Sequence, residues 1–270
     1  AGGTAVYILC ASELTNGLFH KAIFESPWVT DGSICPLKKP SFTKESVEAT
    51  SIQLANKWMN DGEVTLAGLR NLNVNDILNK AKNGFRLPAA IDGYVLKDNP
   101  ANLFEKGLQQ SRPIIVGTNT DEGTMFSYGA NKMEVQDFED NIKKELNEGA
   151  DDVLGIYKVK TNAEVNDAVN QSINDSWFAQ PSRWIARYMS EINPNTYLYH
   201  FAHQNVNWPA LKSSHAAELA FVFGSLEKEK HTPSYKYLSD AMITYWTNFT
   251  KTGNPNSESL PEWPKYNPDS

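Results

Sequence analysis

One short run limits what this chain can fold into: Pro113-Ile114-Ile115-Val116-Gly117. A strand with one wet face alternates apolar and polar residues, and this run does not alternate. Both of its faces must therefore be covered, the situation of a parallel strand packed between helices. The rest of the chain supplies neighbours for it. Lys21 to Glu25 reads as a short strand and Thr196 to His203 as a longer one. Thr4 to about Ala11 reads as a helix that is apolar on every side, hence buried beneath a sheet. Helices alternating with apolar strands give an α/β architecture.

Other elements follow from their own signals. A helix is expected from Thr43, with the threonine as cap and Val47, Leu54, Ala55 and Trp58 on one face. Two shorter helices are expected around Leu66-Leu69 and from Val74 to Ala81, the second capped by Asn73. Pro27 to Pro40 reads as loop. Phe85 to Pro88 reads as extended chain leading into the turn Asp92-Gly93, and Asn102 to Gly107 as a short helix. Val135, Phe138, Ile142 and Leu146 mark a surface helix. Pro181, Trp184, Ile185 and Tyr188 mark another, in which proline is acceptable only in the first turn. Thr232-Pro233 opens the last helix and Gly253 with Pro255 stops it. Leu238, Met242, Tyr245, Trp246 and Phe249 repeat along its apolar face. No internal repeat is present, and 270 residues favour one domain over 1–270.

The chemistry lies at two places. Asp121-Glu122-Gly123 follows the central strand, where open α/β sheets place their sites. Ser214-His215-Ala216-Ala217-Glu218 lies in a polar stretch before the apolar run Leu219 to Phe223. An acid followed much later by a histidine is the second half of a serine, acid, histidine order. A serine hydroxyl needs a base within hydrogen-bond reach, and the base needs an acid to fix its tautomer. His215 is the candidate base and Glu122 the candidate acid. The bland alternatives are a structural histidine beside an apolar run and a carboxylate favoured by a helix N-terminus, and Asp121 suits the latter better. His20, His200, His203 and His231 read as surface or strand residues. No Gly-x-Ser-x-Gly occurs anywhere. The chain opens Ala1-Gly2-Gly3, the small residues that follow the serine of such a tight strand-to-helix turn. On that reading the nucleophile immediately precedes Ala1, and the alternative is a merely flexible start.

The blocks in order are Gly2-Gly3, Gly17-Leu18-Phe19-His20-Lys21-Ala22-Ile23, Ala90-Ile91-Asp92-Gly93 and Gly117-Thr118-Asn119-Thr120-Asp121-Glu122-Gly123. Thr196-Tyr197-Leu198-Tyr199, Ser214 through Gly224, Tyr245-Trp246 and Lys251-Thr252-Gly253-Asn254-Pro255 follow. Together they resemble the type-B carboxylesterases, the family that includes cholinesterases, over nearly the whole chain. The resemblance implies an α/β-hydrolase fold: the C-terminal part of a mostly parallel sheet with helices on both faces, the N-terminal strands missing. It implies a carboxylic-ester hydrolase acting through an acyl-enzyme, with Glu122 and His215 as triad acid and base. The backbone N–H of Ala1 becomes an oxyanion donor, Ser26 and Glu218 lie around the triad, and Phe85 and Met125 shape the substrate pocket. Cholinesterases tend to hold a quaternary ammonium on an aromatic near Met125, so methionine there points to a general carboxylesterase. No metal or organic cofactor is implied. A partner could be the missing N-terminal half of the same protein, without which the chain alone is expected to be inactive. A different class, a non-catalytic adhesion module on the same scaffold, need not keep both acid and histidine.

Charge and composition exclude some classes. A net charge of −7 argues against nucleic acid, which selects basic surfaces. No apolar run approaches the roughly 20 residues of a membrane helix. Cys10 reads as a buried thiol and Cys35 as a loop residue, so no disulfide or zinc framework is supported. Secreted relatives usually carry a disulfide near Asn60 to Gly68, where this chain has no cysteine. Sequons at Asn170, Asn174 and Asn248 leave the compartment open, secreted or cytoplasmic.

Overall fold

The structure, a computed structural model, describes residues 2–42, 44–59, 63–82, 87–127, 129–146, 148–204, 209–226 and 232–269. In chain order the first elements are α1 (Gly2–Ala11), β1 (Ala22–Glu25), β2 (Ile34–Pro36), α2 (Val47–Trp58), α3 (Leu66–Arg70), α4 (Val74–Ala81), β3 (Ala89–Ile91) and α5 (Pro100–Glu105). They continue with β4 (Ile114–Asn119), α6 (Val135–Leu146), α7 (Ala150–Ile156), α8 (Asn162–Ile173), α9 (Gln180–Ile192), β5 (Thr196–Phe201), α10 (Leu219–Val222) and α11 (Pro233–Thr252). The contacts divide the chain into two compact units, 1–29 with 100–270, and 30–99.

The larger unit is built on a parallel sheet in the order β1-β4-β5, with Ala22 opposite Ile114 and Ile114 opposite Thr196. All six residues of β4 are buried, as its unbroken apolar run requires. Ile115, Tyr197 and Phe201 pack against Phe221 and Val222 of α10 and Met242, Trp246 and Phe249 of α11. By strand alternation Ile114 and Val116 face the opposite side. There α9 lies on β4 and β5, α1 lies on β1, and α5 touches both helices. Gly117 is required at mid-strand, because a Cβ there would sit 2.3 Å from the Tyr199 ring and carbonyl of β5. Proline opens α11, the Thr232 side chain accepts from Tyr235 N–H, and Gly253 ends it at φ 82°.

The smaller unit pairs β2 with β3 in parallel, Ile34 opposite Ala89, and carries α2, α3 and α4. The stretch 27–40, expected to be loop throughout, therefore contains a strand. Three residues ending in proline are too short for any periodicity to show. Cys35 sits in that strand as a buried free thiol, and Cys10 is likewise buried and free. Helix α2 is capped by Ser46, which accepts from Ala49 N–H; the expected cap Thr43 lies outside the described residues. Asn73 caps α4 as expected.

Two further departures bear on the site. The region from 162 to 192 is helical throughout, because a π-turn over Asn174–Ala179 joins α8 to α9. Pro181 follows that π-turn, where the regular i→i−4 ladder is already interrupted. Strand β5 ends at Phe201, two residues earlier than expected. Among the described residues no helix is long and apolar enough to cross a membrane.

Candidate active site

Strand β4 delivers the acid. The chain leaves the sheet at Asn119, and Glu122 opens a 3₁₀ turn over Glu122–Met125. Gly123 is needed beside it, because a Cβ would meet the Asn170 carbonyl at 2.2 Å. Glu122 is fully buried. Its Oε2 lies 2.6 Å from Nδ1 of His215, 93 positions away. Its Oε1 accepts from Ser26 Oγ at 2.5 Å and from Asn119 N–H at 2.8 Å. A buried carboxylate must be fully hydrogen-bonded, and these donors meet that need. The contact fixes the imidazole with its proton on Nδ1 and leaves Nε2 as the basic nitrogen.

His215 stands on a loop with little regular structure, clamped to the turn that carries the acid. Asp121 N–H donates to the Ser213 carbonyl at 3.0 Å, and Ser213 N–H donates back to Asp121 Oδ2 at 3.3 Å. Asn119 Nδ2 donates to the Ser214 carbonyl at 2.8 Å, and Thr124 Oγ1 to the Leu211 carbonyl at 3.1 Å. Ser213 Oγ donates to the His203 carbonyl at 2.7 Å. Lys212 Nζ lies 3.8 Å from Asp121 and 3.6 Å from Asp167. Among the described residues, the non-glycine residues at positive φ are Ser26 at 48°, Lys212 at 51° and Ala216 at 69°. Ser26 touches Glu122, and the other two flank His215. Among the described residues, backbone strain thus gathers at one place, as it does at functional sites.

A second carboxylate shares the interior. Glu218 is 1% exposed, accepts from Asn119 Nδ2 and is pushed up to about pKa 7 by burial, against the pull of that amide. The Tyr199 hydroxyl is also buried, and burial together with Glu218, Glu25 and Glu122 holds its pKa well above the usual phenol value.

Aromatic rings wall the imidazole. Phe126 and Phe178 lie 5.6 Å and 5.1 Å from the His215 ring, centroid to centroid. Trp177 stacks on Trp28 at 5.5 Å and meets Phe126 at 5.7 Å. The π-turn carries both Trp177 and Phe178; its wider turn re-aims side chains relative to an α-helix.

The structure thus brings Glu122, His215, Ser26 and Glu218 into one cluster. Met125 is half exposed, and its neighbour Phe126 is the one against the imidazole. Ala1 and Phe85 lie outside the described residues. The first turn of α1 is nonetheless close to the acid: a Cβ on Gly3 would sit 2.4 Å from the Glu25 carbonyl, beside Ser26. Among the described residues no cluster of histidine, cysteine or acidic side chains is arranged to hold a metal. Sequence reasoning passed over Asn119, the clamping role of Asp121, and the ring wall of Trp28, Phe126, Trp177 and Phe178. The adjacent Trp177-Phe178 pair in a polar stretch was the available signal.

A model of the carboxylesterase family matches residues 1–270. Cocaine esterase of Homo sapiens is 30% identical over 98% of this chain and 51% of its own length. Acylcarnitine hydrolase of Rattus norvegicus is 31% identical over 98% of this chain and 50% of its own. Para-nitrobenzyl esterase of Bacillus subtilis is 29% identical over 98% and 54%. A solved structure of a PNB esterase superposes with a TM-score of 0.77 at 26% identity, covering 98% of this chain and 55% of that one. The chain spans about half the length of the curated relatives it matches.

Proposed function

Since this chain belongs to the carboxylesterase family and carries the C-terminal part of its α/β-hydrolase fold, we propose that it forms the acid-and-base half of a serine ester hydrolase. In this reading the nucleophilic serine is the residue immediately before Ala1. His215 Nε2 takes the serine proton as the oxygen attacks the ester carbonyl carbon. The tetrahedral intermediate collapses, its C–O bond to the alcohol breaks, and the imidazolium returns the proton to the departing alcohol. Water then repeats the sequence on the acyl-enzyme and releases the carboxylic acid. Glu122 holds the tautomer and stabilises the imidazolium, and the N–H of Ala1 serves as one oxyanion donor. Trp28, Phe126, Trp177 and Phe178 favour an ester with an apolar acyl or alcohol group.

The observation that carries this reading is the 2.6 Å contact of His215 Nδ1 with a fully buried Glu122. A structural histidine rarely needs a desolvated carboxylate held by donors on its other oxygen. The test compares two proteins on p-nitrophenyl acetate. The 270-residue chain should show no His215-dependent hydrolysis. A chain extended at its N-terminus to include the serine and the preceding residues should show saturable hydrolysis that His215→Ala and Glu122→Ala both remove. Hydrolysis by the 270-residue chain that His215→Ala abolishes would refute an external serine. An extended enzyme indifferent to both substitutions would refute the triad.

A further inference from the structure

A separate cavity of about 320 Å³ opens between β5, α11 and the extended C-terminal segment, large enough for a small organic ligand. Tyr199, Tyr245, Trp246 and Trp263 line it, with Glu262 among them. The rings form a connected box: Trp246 lies 5.8 Å from Trp263, Tyr245 5.3 Å from Trp263, and Tyr199 5.4 Å from Trp246. The polar tips of three of them are already used, and the Tyr199 hydroxyl is buried. Trp246 Nε1 donates to Glu25 Oε1 at 2.8 Å, Trp263 Nε1 to the Leu198 carbonyl at 3.0 Å, and Tyr245 OH to the Pro261 carbonyl at 2.7 Å. What remains for a ligand is ring face.

Among the described residues, the one carboxylate in the lining is Glu262; His200 lines the cavity as well, its Nε2 2.9 Å from Thr120 Oγ1. Glu262 is exposed. Glu25 and Glu218 stand behind Tyr199 and Trp246, but burial raises the pKa of both, so Glu262 is the carboxylate a ligand meets. Among the described residues no lysine or arginine is ion-paired with Glu25, Glu218 or Glu262. Lys265, three residues beyond Glu262, is exposed and does not line the cavity. Aromatic faces presented toward a carboxylate attract a cation with an apolar body, since the ring quadrupole and the carboxylate pull in the same direction.

We propose that this cavity is a binding site for an apolar organic cation, an amine or quaternary ammonium carried on a flat ring. The body lies against Trp246 and Trp263 and the charged head faces Glu262. None of the lining residues belongs to the ring wall around His215, so the site stands whether or not the hydrolase reading does.

Phenyltrimethylammonium and its neutral counterpart tert-butylbenzene are the probes, titrated into the chain while the indole N–H resonances of Trp246 and Trp263 are followed. The cation should bind at least about fivefold more tightly than the neutral compound, the scale of one cation–π contact with a carboxylate nearby. Glu262→Gln, a surface change that leaves the packing alone, should remove most of that preference and leave tert-butylbenzene unaffected. Trp263→Leu should weaken both, with circular dichroism checking that the fold survives. Phe126→Leu, at the other site, should change neither. Equal binding of the two probes, no binding at millimolar concentration, indifference to Glu262→Gln, or loss of the signal in Phe126→Leu would each overturn the proposal.

Discussion

Glu122 and His215 meet at 2.6 Å, yet the two sides of that contact are built in different ways. The acid follows a strand whose every residue is buried and sits in a turn that admits only glycine at its next position. Its place is set by the sheet. The imidazole stands on a loop with two non-glycine residues at positive φ, and that loop is held by donors and acceptors of Asn119, Asp121 and Thr124. Its place is borrowed from the acid's own turn. Damage on the acid's side should therefore remove activity outright, and damage on the loop's side should be graded by how many clamps are lost.

The largest break is Glu122→Gln. It keeps the shape but cannot hold the Nδ1–H tautomer, and kcat of the serine-bearing enzyme should fall about 10⁴-fold with KM little changed. Steady-state kinetics on p-nitrophenyl esters measure it. A loss below tenfold would mean that some other group orients His215.

The second effect sharpens the contrast between two neighbouring glutamates. Glu122 has hydrogen-bond partners on both oxygens. Burial raises Glu218 to about pKa 7. Its folded-state pKa lies above the unfolded value near 4.5, so folding favours the protonated form. The stability this contributes is complete below pH 4.5 and is lost as pH rises through 7. A shift of that size corresponds to about 3 kcal/mol across the window. Urea unfolding at pH 4.5 and pH 8, wild type against Glu218→Gln, isolates it. The variant should lack that part of the pH slope, and identical slopes would show that Glu218 does not titrate there.

Asp121→Ala tests the clamp itself. It unpairs Ser213 N–H and leaves Lys212 only its contact with Asp167, while Glu122 keeps its own partners. A small displacement of a catalytic base can cost about 10²-fold, so kcat should fall roughly 10- to 100-fold while the pH profile keeps its shape. Asp121→Asn retains an acceptor for Ser213 and should recover part of the loss. If both variants matched wild type, the loop would be held by something other than Asp121.

What could be read in advance follows the same division. Strand β4 announced itself because a double-faced burial leaves an unbroken apolar run, and α11 because its cap, period and stop agree. The blocks around Glu122 and His215 were legible, and the structure brings the two side chains to 2.6 Å. Asp121 does stand at the N-cap position of the 3₁₀ turn, but its bond to Ser213, 92 positions away, lies beyond any local pattern. The ring wall was missed for the same reason: residues 28, 126, 177 and 215 converge only in space. The π-turn was hidden because a helix that gains one residue per turn shifts its apolar phase, which looks like a break between two helices.

The smallest effect addresses why the loop needs clamping at all. Ala216 adopts φ 69°, a conformation in which its Cβ crowds the backbone and which glycine reaches freely. Holding a non-glycine residue there costs on the order of 1 kcal/mol, offset by the hydrogen bonds around Ser213 and Ser214. Ala216→Gly removes the strain but gives the unfolded chain more freedom to lose, so the net gain should be at most about 1 kcal/mol. In Asp121→Ala, where the clamp is weak, the same change should recover more stability than it adds to wild type. A thermodynamic cycle over the two sites by urea unfolding would reveal that coupling. Strict additivity would mean that strain at Ala216 and the clamp at Asp121 are independent, and that the borrowed placement of His215 rests on the other bonds alone.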